Sequence, residues 1–245
     1  PARGRLEGGV RDELLKERSG DTLTLTLNRP DKMNALSTAL VDALLDAVAA
    51  ASGDGTRLLV LKGAGRNFSA GFDFGGYEAQ SEGDLLLRFV RIEQLLQALA
   101  HAPFDTLALA HGRNFGAGVD VICACGRRVG DPAATFRMPG LSFGLVLGTR
   151  RYAERVGGSK ARLVLQEGRA PAALSDGLLT AIAATDARSD TVATASEAAM
   201  RLSPWAGAAL NRAAARDTRA DDLADLVASA ARPGLKDRIR AYRAA

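Results

Sequence analysis

The stretch that decides the fold is TLALAHGRNFGAGVDVICAC, residues 106–125. It opens with a short apolar run up to Ala110, typical of a buried strand, and from Gly118 to Ala124 it is apolar enough for a buried helix. The loop between them is rich in glycine. Glycines at a helix N-terminus expose main-chain N–H groups, and the helix dipole there favours negative charge. The stretch therefore predicts a strand-loop-helix step that can bind an anion, with Asp120 near the first turn of the helix.

This loop does not fit a dinucleotide-binding fingerprint. That fingerprint needs G-x-G-x-x-G at the start of the helix, and an acidic residue at the end of the next strand. Gly116 and Gly118 supply the first two glycines, but Val121 occupies the position of the third, and no suitable acidic residue follows. A nicotinamide or flavin dinucleotide is therefore not expected.

Strands and helices alternate on both sides of the deciding stretch. Thr22 to Leu27 alternates polar and apolar residues, which indicates a half-buried strand, and Leu58 to Leu61 is a short apolar run typical of a buried one. Amphipathic helices are predicted after Ser37, which can cap a helix, and over Leu85 to Ala100. This order predicts an α/β fold.

The second half of the chain becomes helical. A short helix is predicted from Ser159 to Gly168, and the segment after residue 189 is rich in Ala and Arg, with breaks at Pro204 and Pro233. We therefore expect a core over residues 1–188 and a helical C-terminal region over residues 189–245.

Composition is that of an ordinary globular protein. The 245 residues are 47% hydrophobic and 24% charged, with a net charge of +4, which excludes wholesale disorder. Two cysteines cannot form a disulfide framework, and no uncharged apolar run approaches the length of a membrane span. We expect a cytoplasmic protein without a membrane segment or secretory signal. The 26 glycines beside only 5% aromatic residues indicate places where the backbone turns tightly or approaches a ligand.

The sequence does not support three other functional patterns. Residues 140–144 match the G-x-S-x-G motif of serine hydrolases, but both histidines, His101 and His111, precede the serine, whereas that motif needs one after it. Cys123 and Cys125 point to opposite sides of a helix and cannot share a zinc ion there. Arginines in the C-terminal region alternate with Asp and Ala rather than with aromatic residues, so nucleic acid is not an expected partner.

A second glycine-containing loop, NFSAGFDF at residues 67–74, also follows a predicted strand. It can present another main-chain N–H beside the first loop. Two such donors make an oxyanion hole, in which one donor contributes about 3–4 kcal/mol to transition-state stabilisation.

Taken in order, these segments resemble the crotonase superfamily, also called the enoyl-CoA hydratase/isomerase family. The resemblance runs over residues 22 to 205. It is carried by NRP with NAL (28–36), FSAGFD (68–73), HG with GAGVD (111–120), ALSDGLL (173–179) and SP (203–204).

The resemblance implies a fold and a ligand. The fold would be a spiral of ββα turns with a helical C-terminal region that builds homotrimers, often paired into hexamers. The ligand would be an acyl-CoA thioester, with no cofactor beyond its CoA moiety and no metal. The N–H groups of Phe72 and Ala117 would bind the thioester oxygen, and Asp120 would hold the position of a catalytic carboxylate. Contacts to CoA are implied for Lys32, Met33, Ala35, Ala70, Gly71 and Asp73.

The chain departs from the family pattern where proton transfer takes place. Hydratases of the family use two glutamates; here the first position is Asp120, whose carboxylate is retracted by about 1.5 Å, one carbon–carbon bond. The second position is Gly140, which has no side chain. The turn at residues 145–151 is also shorter than in the family, which leaves the acyl specificity open.

Isomerase-type proton transfer, with Asp120 as the only recognised carboxylate, is therefore the favoured interpretation. Two alternatives remain open. One is hydration, decarboxylation or thioester hydrolysis with a helper such as Arg113, Asn114 or Arg137. The other is an acyl-CoA-binding protein with little catalysis.

Overall fold

The computed structural model describes residues 12–168, 173 and 176–244 of the chain. Its main sheet has six strands in the order β1-β2-β3-β4-β6-β8, and a second sheet pairs β5 with β7. The strands are β1 (Leu14–Ser19), β2 (Thr22–Leu27), β3 (Leu58–Gly63), β4 (Asp105–Ala110), β5 (Arg113–Phe115), β6 (Arg127–Gly130), β7 (Thr135–Arg137) and β8 (Ala181–Ile182). The helices are α1 (Thr38–Ala51), α2 (Glu82–Ala100), α3 (Ala117–Ala124), α4 (Thr149–Val156), α5 (Gly158–Glu167), α6 (Arg188–Met200), α7 (Pro204–Ala214), α8 (Arg219–Ala230) and α9 (Leu235–Ala244).

The chain winds as a spiral in which successive turns add parallel strands. In the main sheet β2, β3, β4, β6 and β8 pair in parallel, and only β1 is antiparallel to its neighbour. A second row of short parallel pairings joins Leu36 to Phe72, Ser69 to Asn114, and β5 to β7. The helices α1, α2 and α3 complete the successive turns. This is the spiral of ββα turns that the resemblance implies.

The main sheet is buried on both faces, and the side chains of a strand point alternately to the two faces. On β3, Leu59 and Leu61 belong to the large core beneath α1 and α2, whereas Leu58 and Val60 face a smaller cluster that includes Ala195 of α6. Burial on both faces explains why β3 is a continuous apolar run in the sequence rather than an alternating one.

Local sequence signals account for where the first helices begin. The Ser37 hydroxyl accepts a hydrogen bond from the N–H of Leu40 at 3.1 Å, as expected for the cap of α1. Helix α2 begins three residues earlier than predicted, because Ser81 and Asp84 form a reciprocal capping box.

The C-terminal helices pack back onto the spiral. Leu226 of α8 and Ile239 of α9 lie in the same core cluster as the strands. Helix α8 contacts α2, and α9 contacts the short 3-10 helix Gly140–Phe143. Of the segment at residues 173–179, positions 174 and 175 lie outside the described residues. Within the described ranges, no helix is both long and apolar enough to cross a membrane.

Candidate active site

Two loops that are far apart in sequence come together at the start of α3. The N–H of Phe115 donates to the carbonyl of Ser69 at 3.1 Å, which ties the loop of residues 69–72 to the loop of residues 114–118. Gly71 has a φ of +78°, and a Cβ there would lie 2.3 Å from the Phe115 oxygen. This close approach requires glycine at position 71.

The contact leaves two main-chain donors without partners among the described residues. Leu36 donates to the carbonyl of Gly71 (2.7 Å) and accepts from the N–H of Asp73 (3.3 Å), so the intervening N–H of Phe72 points to the opposite side of the strand. Ala117 is the first residue of α3, where an N–H has no partner within the helix. Among the described residues, neither N–H donates to a main-chain or side-chain acceptor.

Two arginines hold the loop that carries Phe72. Arg29 donates to the carboxylate of Asp73 at 2.8 Å and to the carbonyl of Ala35 at 2.6 Å. Arg88 donates to the carbonyl of Asp73 at 2.6 Å, and its guanidinium lies 4.2 Å from the centre of the Phe72 ring. Sequence reasoning did not assign a role to either arginine; the arginine of the N-R-P segment was the available signal for the first.

A largely apolar cavity of about 270 Å³ lies beside these loops. Among the described lining residues, Asp120, Thr149 and Tyr242 are the ones whose side chains can donate or accept a proton. The lining consists of Met33, Ala70, Phe72, Phe74, Phe89, Phe115, Gly116, Ala117, Asp120, Met138, Pro139, Gly140, Leu141, Phe143, Leu145, Leu147, Thr149, Leu165 and Tyr242. The predicted residues Phe72, Ala117 and Asp120 are thus brought together at one cavity.

Asp120 is the sole carboxylate among the described lining residues. It is 3% exposed, and its Oδ1 atom has no hydrogen-bond partner in the described part of the chain. The carboxyl group packs against Gly148, where a Cβ would lie 2.2 Å from Oδ1. Burial, and then the nearby negative charge of Glu93, raises the pKa of Asp120 well above its usual range, while Arg151 opposes the shift. The carboxyl group therefore holds its proton to a higher pH than an exposed aspartate does.

The position expected for a second carboxylate is inside the site but has no side chain. Gly140 lines the cavity at the start of a 3-10 helix. The three helper candidates are not in the lining: Arg113 and Arg137 are exposed, and the amide of Asn114 donates to the carbonyl of Thr135 at 2.9 Å. None of the three is placed to replace the missing carboxylate at this cavity.

Some of the residues implied in CoA contacts line the cavity, and others lie outside its lining. Met33 and Ala70 line the cavity. Lys32 is exposed on the short 3-10 helix Pro30–Lys32, and Ala35 is buried. Asp73 is engaged by Arg29 rather than being free for a ligand.

One residue of this segment was overlooked as a support. Asn34 is fully buried with a φ of +53°, and its amide donates to the carbonyls of Ala64 and Asn67 at 2.9 and 2.8 Å. These hydrogen bonds connect the segment at residues 33–36 to the loop after β3. The asparagine of the N-A-L segment therefore stabilises the backbone beside the site.

Other candidate residues are structural. The Nε2 atom of His111 is 3.0 Å from the carbonyl of Gly65, and burial lowers the pKa of this histidine, which favours the neutral ring. Cys123 and Cys125 are both fully buried, as expected for small core residues. In the part of the chain that the structure describes, no group of three metal-binding side chains is present.

Comparison with known protein families identifies the family of this chain. The family described as Enoyl-CoA hydratase/isomerase matches residues 17–232, so the chain belongs to that family. The probable enoyl-CoA hydratase echA6 of Mycobacterium tuberculosis is 33% identical over 146 residues, which cover 58% of this chain and 58% of that relative. The ethylmalonyl-CoA decarboxylase of Bos taurus is 32% identical over 163 residues, covering 62% of this chain and 51% of that protein. The chain thus spans little more than half the length of these curated relatives.

A solved structure matches over nearly the whole chain. A crystal structure from Bordetella parapertussis, provisionally described as an enoyl-CoA hydratase/isomerase, is 53% identical with a TM-score of 0.94, and the match covers 95% of this chain and 99% of that one. An enoyl-CoA hydratase structure from Bacillus halodurans has a TM-score of 0.83 at 22% identity, covering 94% and 99% of the two chains, and supports the fold alone.

Proposed function

We propose that this protein processes an acyl-CoA thioester and stabilises its enolate with the main-chain N–H groups of Phe72 and Ala117. The observation that carries the proposal is the pair of unpartnered donors beside a cavity whose one described carboxylate, Asp120, is buried. Enolate formation places negative charge on the thioester oxygen, and fixed donors aimed at that oxygen stabilise the charge without reorganising.

The chemistry that fits a single carboxylate is isomerisation of an enoyl-CoA. Ionised Asp120 takes a proton from one carbon of the acyl chain, and the electron pair delocalises onto the thioester oxygen as a dienolate. Protonated Asp120 then returns the proton to a different carbon, so the double bond moves and no water is consumed. A raised pKa makes the carboxylate a stronger base once it is ionised, which suits this role.

Hydration is less well supported by the same residues. Addition of water needs one group to hold and activate the water and another to supply a proton to the neighbouring carbon. Gly140 can provide neither function through a side chain. Thr149 and Tyr242 are the other protic side chains described in the lining, and neither is a carboxylate.

The test is a panel of enoyl-CoA positional isomers assayed with the wild type and with Asp120→Asn. We expect Asp120→Asn to lower kcat by about 10²–10⁴-fold, the usual contribution of a general acid-base group, while binding measured by calorimetry is retained. Thr149→Val and Tyr242→Phe are the matched controls, because they remove the other described protic groups of the lining. Turnover that survives in Asp120→Asn would show that the carboxylate is not the base. Binding without turnover on the whole panel would indicate an acyl-CoA-binding protein.

A second candidate is decarboxylation of an acyl-CoA that carries a carboxylate on its α-carbon. Loss of CO₂ leaves the bonding electron pair as an enolate without any base, after which a protonated acid must deliver a proton to the α-carbon. The raised pKa of Asp120 extends the pH range over which it can serve as that acid. Release of CO₂ from malonyl-type CoA esters, with no change of the enoyl-CoA isomers, would favour this candidate over isomerisation.

We also propose that copies of the chain associate through the C-terminal region, as homotrimers or as hexamers. Trp205, which is 78% exposed, and Leu210, which is 55% exposed, both lie on α7. Burial of such a surface between subunits would remove apolar area from water. Light scattering of the wild type and of Trp205→Glu should show a trimer or hexamer that dissociates in the variant. A monomeric wild type would disprove the assembly.

A further inference from the structure

A buried cluster of charges lies where α2 and α4 pack on α3, and its residues are not in the cavity lining. Arg151 of α4 donates two hydrogen bonds to the carboxylate of Glu93 on α2, at 3.0 and 2.7 Å. The same guanidinium lies 3.1 Å from Asp222 of α8. The side chains of Glu93 and Arg151 are 1% and 5% exposed. Three helices therefore meet around one paired guanidinium.

The position of this cluster suggests more than a structural role. Taking charges out of water is unfavourable, and apolar residues of similar volume often fill such a space with equal or greater stability. The cluster lies against α3, which packs on both α2 and α4. Asp120 is on that helix, so the charges of Glu93 and Arg151 act on its carboxyl group through the protein interior.

The groups that face Asp120 can be named for each element around it. Glu93 comes from α2 and Arg151 from α4, and Cys123 lies near it on α3 itself. Within the described part of the chain, the strands β4 and β5 that also pack on α3 contribute no charge that acts on Asp120. Arg151 is the single cation of this set.

That cation is already occupied. Its hydrogen bonds go to Glu93 and its remaining contact is with Asp222, whereas Asp120 Oδ1 has no donor. A guanidinium that was free to turn towards Asp120 would stabilise the ionised carboxylate.

We propose that Glu93 is a positioning residue for Asp120: by holding Arg151 in a two-bond pair, it keeps the guanidinium away from the Asp120 carboxyl group. As an account of catalysis this inference rests on the proposed function. As an account of protonation it does not, because it can be measured in the absence of any substrate.

The experiment is a pH titration of Asp120 in the full chain, followed by NMR of ¹³Cγ-labelled aspartate. The Asp120 signal is assigned by its loss in Asp120→Asn. In Glu93→Gln we expect the titration midpoint to fall by about one pH unit or more, a tenfold or greater loss of proton affinity. The matched control is Asp222→Asn, which removes the other carboxylate on the same guanidinium and should leave the midpoint in place.

Equal midpoints in the wild type and Glu93→Gln would overturn the proposal, as would an equal fall in Asp222→Asn. If Glu93→Gln does not fold, Glu93→Asp keeps the charge and retracts the carboxylate from Arg151, and a smaller fall is expected there. No fall in that variant would also overturn the proposal.

The two proposals can fail separately. A midpoint that moves as expected in a protein that turns over no CoA ester would disprove the proposed function and leave the role of Glu93 intact. Asp120-dependent turnover whose pH profile is unchanged in Glu93→Gln would do the reverse.

Discussion

Both sides of helix α3 are buried, but they differ in whether the carboxylate on that side has hydrogen-bond partners. On the cavity side, Asp120 is 3% exposed, and no described residue forms a hydrogen bond with its Oδ1 atom. On the side towards α2 and α4, Glu93 and Arg151 are equally buried, and Glu93 accepts hydrogen bonds at both of its oxygens.

This difference distinguishes a carboxylate that pairs within the protein from one that lies at the candidate active site. Buried polar groups in proteins are normally hydrogen-bonded, so a buried carboxyl oxygen without a partner needs an explanation. Asp120 adjoins the cavity, and the explanation that we propose is that a bound substrate supplies the missing partner. At Glu93 the pairing is internal, and a ligand is not needed to complete it.

Removing the Arg151 cation should cause the largest loss of stability. Arg151→Met leaves Glu93 and Asp222 buried without their partner, and we expect the free energy of unfolding to fall by about 3–5 kcal/mol. The matched control is Arg91→Met, because Arg91 pairs with Asp42 at the surface and such pairs contribute at most about 1 kcal/mol. Urea denaturation of both variants measures the difference.

The double variant Glu93→Met/Arg151→Met sharpens this prediction. It replaces the pair by apolar side chains and should recover much of the lost stability, since buried pairs are often no better than apolar packing. If Arg151→Met is as stable as its control, the cluster is not tightly paired and the contrast between the two sides fails.

The cavity side should be sensitive to added volume. Gly148→Ala places a Cβ against the Asp120 carboxyl group, at a φ of +63°. Gly168→Ala is the control, because its φ is +65° and nothing lies within 4 Å of its Cβ position. Both variants suffer the backbone strain of about 1–2 kcal/mol. We expect Gly148→Ala to lose about 1–3 kcal/mol more, from overpacking, in thermal unfolding. Equal losses would mean that Asp120 can move aside freely.

The unpaired carboxyl group should make stability depend on pH. Because the pKa of Asp120 is raised in the folded state, the protein binds this proton more tightly when folded than when unfolded. The stabilisation is complete below the unfolded pKa, near 3.8, and is lost as the pH rises through the folded pKa. Relative to Asp120→Asn, the wild type should lose at most about 1.4 kcal/mol per pH unit across that window. Parallel melting-temperature curves for the two proteins would contradict the raised pKa.

The smallest effect is expected at Cys123, also on α3 but away from solvent. Burial raises the pKa of its thiol to about 12, so the reactive thiolate is scarce at mildly alkaline pH. Mass spectrometry should find Cys123 unmodified by iodoacetamide in the folded protein and modified after unfolding. Rapid labelling of the folded protein would show that this side of the helix opens.

Parts of the fold follow from patterns that extend over a few residues. The alternation at residues 22–27 predicted β2 with the bounds that the structure has, and Ser37 predicted the start of α1. The strand β1 was not foreseen, because an edge strand with five exposed residues carries no apolar periodicity. The strands β5 and β7 were also missed, since three-residue strands are too short to show a period.

The site was only partly visible in the sequence. Phe72, Ala117 and Asp120 were predicted from motif resemblance, and the structure brings them to one cavity. Tyr242 was not predicted, since it reaches the lining from the last helix. Sequence order gives no information about which distant helix closes a cavity.

By itself, the sequence determined the strands β2, β3 and β4, the helices α1 to α3, the two glycine-containing loops and the lack of a side chain at Gly140. These are properties of neighbouring residues, set by periodicity, capping and backbone freedom. Only the tertiary structure decided that Glu93 and Arg151, 58 positions apart, would pair behind Asp120 and leave its Oδ1 atom unpartnered. Burial and charge pairing depend on distances through space, and the spiral creates those distances when it stacks one turn on the next.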